Sequence, residues 1–263
     1  MKKYIALTLA LLMSLSLMAC GSKTDDGSSD QEGSNTLVLG TSADYAPFEF
    51  HTEINGTDTI VGFDISIAQY MAEQLGVELE IVDMSFDNLL ISLNKGDFDI
   101  VLAAMSSNEE RAKAVDFSNE YYLSNNVILV QKQNADKYTT KESLQGVSMA
   151  AQKGTVCETR AKELAGESSV VSLVKVQDMV SELLSGKVEA VLLDKPVASG
   201  YVIMQDSLEM VDIGLVAEEG MSVAMKKDSA GLTELVNCML SQLTEEQLDS
   251  WMGEAQVTAG VEE

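Results

Sequence analysis

Two oppositely charged side chains stand just past the ends of apolar runs. Arg111 lies five positions after Ser106, beyond the run from Asp99 to Met105, and Asp194 closes the run from Ala190 to Leu193. A guanidinium is a planar fork that grips a carboxylate through two parallel N–H bonds, and a carboxylate accepts readily from an ammonium. Set across a dry gap, such a pair suits a small zwitterion, because charges taken out of water need partners. Free backbone N–H groups near Ser106, at a helix start, favour an anion at the same place. Plainer roles exist for each residue. An arginine in so acidic a chain is commonly a surface ion pair, Asp194 can cap a helix entered at Pro196, Ser106 can cap another, and Ala104 can simply pack.

The elements that carry these residues decide between the readings. Leu37 to Gly40 is a short apolar run closed by glycine and predicts a buried strand. Asp64 can cap a helix whose Ile65, Ala68, Met71, Ala72 and Leu75 recur at three and four, with Gly76 placed to end it. A strand from Glu78 to Val82 follows. Asp87 caps a second expected helix carrying Leu89, Leu90 and Leu93 and stopped by Gly96, and Asp99 to Met105 reads as a continuous strand. Strand, helix, strand, helix, strand implies a parallel sheet with helices on its faces, an α/β class.

The same order restarts after Gly146, with strand Val147 to Ala151, helix Thr155 to Ala165, strand Val170 to Val176, helix Asp178 to Ser185 and strand Ala190 to Leu193. Between the two sets runs strand Val127 to Gln131. After the second come strand Met221 to Met225, helix Leu232 to Leu243 and the segment around Trp251. Two crossings between units built alike suggest two hinged lobes, 36–126 with 218–263 and 127–217. Open α/β sheets bind ligands beyond the carboxyl ends of their strands. The cleft is therefore expected after Gly40, Met105, Ala151 and Leu193.

Those places carry recognisable stretches: Gly40-Thr41-Ser42-Ala43-Asp44-Tyr45-Ala46-Pro47-Phe48-Glu49-Phe50, Val61-Gly62-Phe63-Asp64-Ile65, Ala103 to Ala112, and Asp116-Phe117-Ser118 with Tyr121-Tyr122. Gln152-Lys153-Gly154-Thr155 and Asp194-Lys195-Pro196 continue them. In this order they resemble the family 3 bacterial solute-binding proteins, the polar amino-acid receptors of ABC importers. The resemblance implies a type II periplasmic-binding-protein-like fold with a ligand cleft between lobes, a free amino acid as ligand, ABC permease subunits as partners, and neither cofactor nor catalysis. It implies that Arg111 and Ser106 hold the ligand carboxylate, that Asp194 takes the ammonium, and that Tyr45 and Phe86 enclose the side chain. Ala104 and Thr155 are implied as further contacts. The chain departs from the pattern at Val156, where many relatives carry a second threonine. At Ser42 several receptors for basic ligands carry an acid, and the hydroxyl here leans the reading away from lysine and arginine, with Asp44 expected to point elsewhere.

Met1-Lys2-Lys3, an apolar run of 13 residues from Ile5 to Leu17, and Leu17-Met18-Ala19-Cys20 form the layout of an export leader. The run falls short of the ~20 residues that span a bilayer. The small residues before Cys20 resemble the lipobox of bacterial lipoproteins. A leader over 1–19, lipidation of Cys20 and a polar tether over 20–35 are expected, which place the folded part outside the cytoplasm on a lipid anchor, as a monomer. Loss of Lys2 and Lys3 with the leader takes the formal charge from −25 to −27, which repels nucleic acid. Cys157 and Cys238 do not make a disulfide framework and are expected buried or half-buried. One histidine, His51, and no Cys/His cluster argue against a metal. Rival readings are a dehydratase-like enzyme using His51, Glu49 or Asp44 as acid or base, and an amino-acid-sensing lipoprotein uncoupled from transport.

Overall fold

The computed structural model describes residues 35–260. The expected leader, Cys20 and nearly all of the expected tether lie outside the described residues. β1 (Thr36–Thr41) leads into an antiparallel ribbon of β2 (Asp44–Tyr45), β3 (Glu49–Ile54) and β4 (Thr57–Val61), in which Tyr45 sits opposite Glu49. This ribbon was not among the expected elements, and it carries His51 on β3, 3.0 Å from Asp58 and 3.4 Å from Asp83.

α1 (Phe63–Leu75) buries Ile67, Ala68, Met71 and Ala72, one face of a 3.6-residue period, and Gly76 ends it at φ 68°. Asp64 does not cap it. Gly62 holds the cap position, and Asp64 is buried in the first turn, where its Oδ2 accepts from the Ala104 N–H and the Tyr121 hydroxyl, each at 2.7 Å. β5 (Glu78–Asp83) precedes a 3-10 turn over Phe86–Asn88 and α2 (Leu89–Lys95). Asp87 lies inside that turn and pairs with Lys153 at 2.8 Å instead of capping. β6 is only Ile100–Val101, much shorter than the expected strand, and Ala104 beyond it turns the main chain to φ 46°. α3 (Glu109–Ala112), β7 (Val115–Tyr122) and β8 (Asn126–Gln131) complete the first half.

The second half runs β9 (Met149–Gln152), α4 (Val156–Ala165), β10 (Val170–Leu173), α5 (Val176–Leu184), β11 (Ala190–Asp194), α6 (Lys195–Met204), β12 (Leu208–Leu215), β13 (Met221–Lys226), α7 (Ala230–Leu240) and α8 (Glu245–Ala259). Two five-stranded sheets result, ordered β5-β1-β6-β13-β7 and β10-β9-β11-β8-β12. Both are mixed, where wholly parallel sheets were expected. In each the strand in fourth place, β13 or β8, runs antiparallel to both neighbours. These are the two strands reached directly from the other sheet, so each enters against the grain of its βαβ neighbours. The fold is the two-lobed α/β type, with sheets flanked by helices.

One apolar cluster joins Phe48, Phe63 and Met71 to Val127, Leu129, Val176 and Leu183, so the two sheet systems share packed surface. Burying each such large side chain contributes about 1.5–3 kcal/mol, and a cleft between the sheets is held with its walls in contact. Cys157 is buried, but Cys238 is exposed on α7, and both are free thiols.

Candidate ligand-binding site

All seven residues singled out for binding, Tyr45, Phe86, Ala104, Ser106, Arg111, Thr155 and Asp194, line one cavity between the two sheets. They arrive from β2, the turn before α2, the segment between β6 and α3, α3 itself, the start of α4 and the end of β11. Both sheets present the carboxyl ends of parallel strands there, as the fold class dictates.

Arg111 is half-buried in α3. Its Nη1 donates to the Ser106 carbonyl at 2.7 Å and its Nη2 to the Gly154 carbonyl at 2.9 Å, which ties together residues that follow strands of different sheets. The guanidinium carbon stands 5.2 Å from the centre of the Phe86 ring, a cation over an aromatic face. Among the described residues no carboxylate lies within salt-bridge distance of it, and burial pulls its pKa down to about 10. A partly desolvated guanidinium hydrogen-bonded only to carbonyls, with Glu110 and Glu219 acting on it only at longer range, lacks a paired anion, which favours an anionic partner. The walls approach closely at Gly154, where φ is 82° and a Cβ would stand 3.1 Å from that of Asp87.

Asp194 occupies the cap position before α6, but its side chain makes no capping bond. Its Oδ2 accepts from the Tyr45 hydroxyl at 2.7 Å and its Oδ1 from the Asn126 amide at 3.0 Å. Asn126 in turn accepts from Arg160 at 2.6 Å. Burial raises the Asp194 pKa from 3.8 to about 6, against the lowering effect of these donors. Thr155 caps α4, its hydroxyl accepting from the Glu158 N–H at 3.1 Å and donating to the Gln152 carbonyl at 2.7 Å. The hydroxyl that the resemblance assigns to a carboxylate is thus engaged twice within its own chain. The first N–H groups of α4, at the wall residues Val156 and Cys157, have no intrahelical acceptor.

Several wall residues escaped the sequence reading. Arg160 lies four positions after Val156 and so shares its helix face, a spacing that could have found it. Asn126 opens β8 beside the Asp194 strand, and only pairing of the two strands reveals that. Glu49, weighed before only as a rival catalytic acid, is 1% exposed and lines the cavity. It has no cationic partner among the described residues, and burial beside Asp64 pushes its pKa well above the carboxylate range. Ser42 also lines the cavity, whereas Asp44 turns from it to accept from the Val176 N–H at 2.8 Å and the Gln152 amide at 3.2 Å.

Two α/β sheet systems with a charged cleft between them define a receptor for a small polar molecule. Residues 37–253 match the family model for bacterial extracellular solute-binding proteins, family 3, and the chain belongs to that family. It is 34% identical to the arginine-binding extracellular protein ArtP of Bacillus subtilis, over 92% of this chain and 93% of that protein. The amino acid ABC transporter substrate-binding protein AbpA of Streptococcus pneumoniae, bound to L-arginine, is similar in structure with a TM-score of 0.82 and 38% identity, covering 87% of this chain and 97% of that one. An ancestral amino-acid-binding protein described as a precursor of cyclohexadienyl dehydratase gives 0.76 at 35% identity, over 84% and 95% of the two chains. Among the described residues no helix is long and apolar enough to cross a membrane.

Proposed function

We propose that the chain is the solute receptor of an ABC importer that captures a free amino acid with a cationic side chain, arginine above all, and presents it to permease subunits. The observation that carries this reading is the placing of Arg111, which makes no salt bridge among the described residues, and Asp194 about one cavity. Arg111 and the Ser106 segment take the α-carboxylate, Asp194 takes the α-ammonium, and Tyr45, Phe86 and Ala104 enclose the rest, with Thr155 contributing the start of α4. The acid that the sequence reading sought at Ser42 is supplied by Glu49, so the lean away from basic ligands is reversed. The arginine-binding relatives support this choice.

Lobe 1 comprises 36–126 and 218–263 and lobe 2 comprises 127–217, closing about the ligand. The protein works as a monomer outside the cytoplasm, anchored through lipid on Cys20. We read it as a binding protein rather than an enzyme: of the acid–base candidates, His51 is exposed beside Asp58 and does not line the cavity, Asp44 is engaged with Val176 and Gln152, and Glu49, which does line it, is assigned here to the ligand side chain.

Thermal unfolding in the presence of each amino acid tests the assignment. A ligand at 100 times its Kd stabilises by about 2.7 kcal/mol. Arginine is expected to raise Tm, with agmatine, which lacks the carboxylate, giving no shift. A shift with agmatine equal to that with arginine would overturn the role of Arg111. Normal arginine uptake in cells lacking the protein would instead favour a sensing role.

A further inference from the structure

Glu49, the acid assigned above to the ligand side chain, forms a buried pair with Asp64, which does not line the cavity. The backbone N–H of Asp64 donates to the carbonyl of Phe48 at 2.9 Å, which sets the start of α1 directly against the start of β3. Both side chains are buried, Glu49 on the cavity wall and Asp64 behind it. Asp64 Oδ2 is filled by Ala104 and Tyr121, but Asp64 Oδ1 and Glu49 Oε2 have no donor when both groups are ionised. The two carboxyls are nonetheless hydrogen-bond neighbours. Two carboxylates cannot bond to each other, whereas a carboxylic acid and a carboxylate can. Asp64 already accepts two hydrogen bonds and is the better place for the charge, so the proton belongs on Glu49.

We propose that Glu49 and Asp64 share one proton in the empty cavity, and that a cationic ligand side chain takes its place, releasing the proton to solvent. The inference rests on the cationic-ligand reading above. The balance is simple: Glu49 passes from neutral to anionic, one proton goes to buffer, and the charge on Glu49 is matched by the incoming guanidinium or ammonium. A neutral side chain leaves the proton in place. Asp64 is then a positioning residue, which never touches ligand but decides the charge that Glu49 shows to it.

The groups facing Glu49 make this exchange possible. Asp64 from α1, Asp44 from β2 and Asp194 from β11 disfavour a second negative charge there, and the Tyr121 phenol from β7 gives its hydrogen bond to Asp64 rather than to Glu49. Arg111 and Arg160 share the cavity wall, together with Glu218 and Glu219. Both arginines bond to carbonyl groups, at Ser106, Gly154 and Asn126, and neither pairs with Glu49. Burial raises Glu49 well above, and Asp64 to about 6, from their ordinary values.

Calorimetry of the purified protein in phosphate and in Tris, whose ionisation heats differ, counts the protons released on binding. Arginine is expected to release close to one proton, and its affinity to rise about tenfold per pH unit through the range in which Glu49 is protonated. Citrulline, isosteric and neutral, is expected to release none, and Asp64→Asn to remove the release with arginine. Infrared spectra of the ligand-free protein are expected to show a protonated-carboxyl carbonyl band that Glu49→Gln abolishes. Absence of that band, or equal arginine heats in both buffers, overturns the shared proton. Failure of arginine to bind at all overturns the cationic-ligand reading and the displacement with it, while the infrared band still decides whether the pair holds a proton.

Discussion

The Tyr45 hydroxyl donates to Asp194 Oδ2 at 2.7 Å and accepts the Asp194 backbone N–H at 3.2 Å, so one side chain from the β2-β3-β4 ribbon satisfies two polar groups at the end of a strand in the second five-stranded sheet. The same carboxylate is the one proposed for the ligand ammonium. Tyr45 therefore both closes the cleft and holds Asp194 in place to receive a cation.

Tyr45→Phe keeps the ring and removes both bonds. It leaves a buried carboxylate short of a donor, which costs about 1–3 kcal/mol. Urea unfolding of the ligand-free protein should show a loss of that size, and retention of full stability would mean that the bridge contributes nothing to closure.

Arg111→Ala should weaken every amino acid alike, since the α-carboxylate is common to all. Removing one partner of a desolvated charged pair costs about 2–5 kcal/mol, a loss of at least about thirtyfold in Kd by titration calorimetry. Arg111→Lys should rescue little of this. An ammonium is a point charge and cannot bond the Ser106 and Gly154 carbonyls while also presenting a fork to the ligand.

Asp194 gives affinity a pH dependence of defined sign. Its pKa is raised from 3.8 to about 6, so its contribution to the stability of the ligand-free fold is fully present below about 3.8 and is lost as pH rises through about 6. Ammonium binding needs the ionised form and runs the other way. Kd should be insensitive to this group above neutrality and should rise by about tenfold per pH unit as pH falls below its pKa. That arm must be the same for cationic and neutral amino acids, which separates it from proton release at Glu49. A flat acidic arm measured with a neutral ligand would remove Asp194 from the grip.

Gly62→Ala tests the joint that brings Glu49 and Asp64 together. Gly62 has φ 133°, and a Cβ there would run into the Phe48 carbonyl oxygen and stand 2.9 Å from that of Pro47. Those two carbonyls accept from Asp64 and Phe63 at the start of α1. Neither backbone oxygen can move without breaking the helix entry, so the substitution should cost at least about 2 kcal/mol in denaturant unfolding.

Much of this was legible in residue order alone. Helical spacing and terminal glycines located α1 and α2, because burial of one face forces a period and a left-handed residue ends a helix cheaply. Repetition of strand and helix exposed two like units, and the ends of their strands pointed to Arg111 and Asp194. The misses share a cause. Asp64 and Asp87 look like caps by position, yet each found a distant partner, Tyr121 and Ala104 for one and Lys153 for the other. The local hydrogen bond of a cap is worth about 1 kcal/mol, and a buried carboxylate exchanges it for two stronger ones. The ribbon of β2, β3 and β4 lacks clean alternation, since β3 buries Glu49 and Phe50 in succession.

The amino-acid sequence by itself determined the α/β class, the two repeated units and the charged pair of the cleft, because these follow from local period and from the chemistry of single side chains. Only the tertiary structure decided that β8 and β13 run against their neighbours and that Asp44, expected to point away from ligand, does so by holding the start of α5. It alone put a buried Glu49 against Asp64. Those facts depend on which distant segments share a low-dielectric interior, where the state of one carboxyl is set by another 15 residues away that no local pattern connects to it.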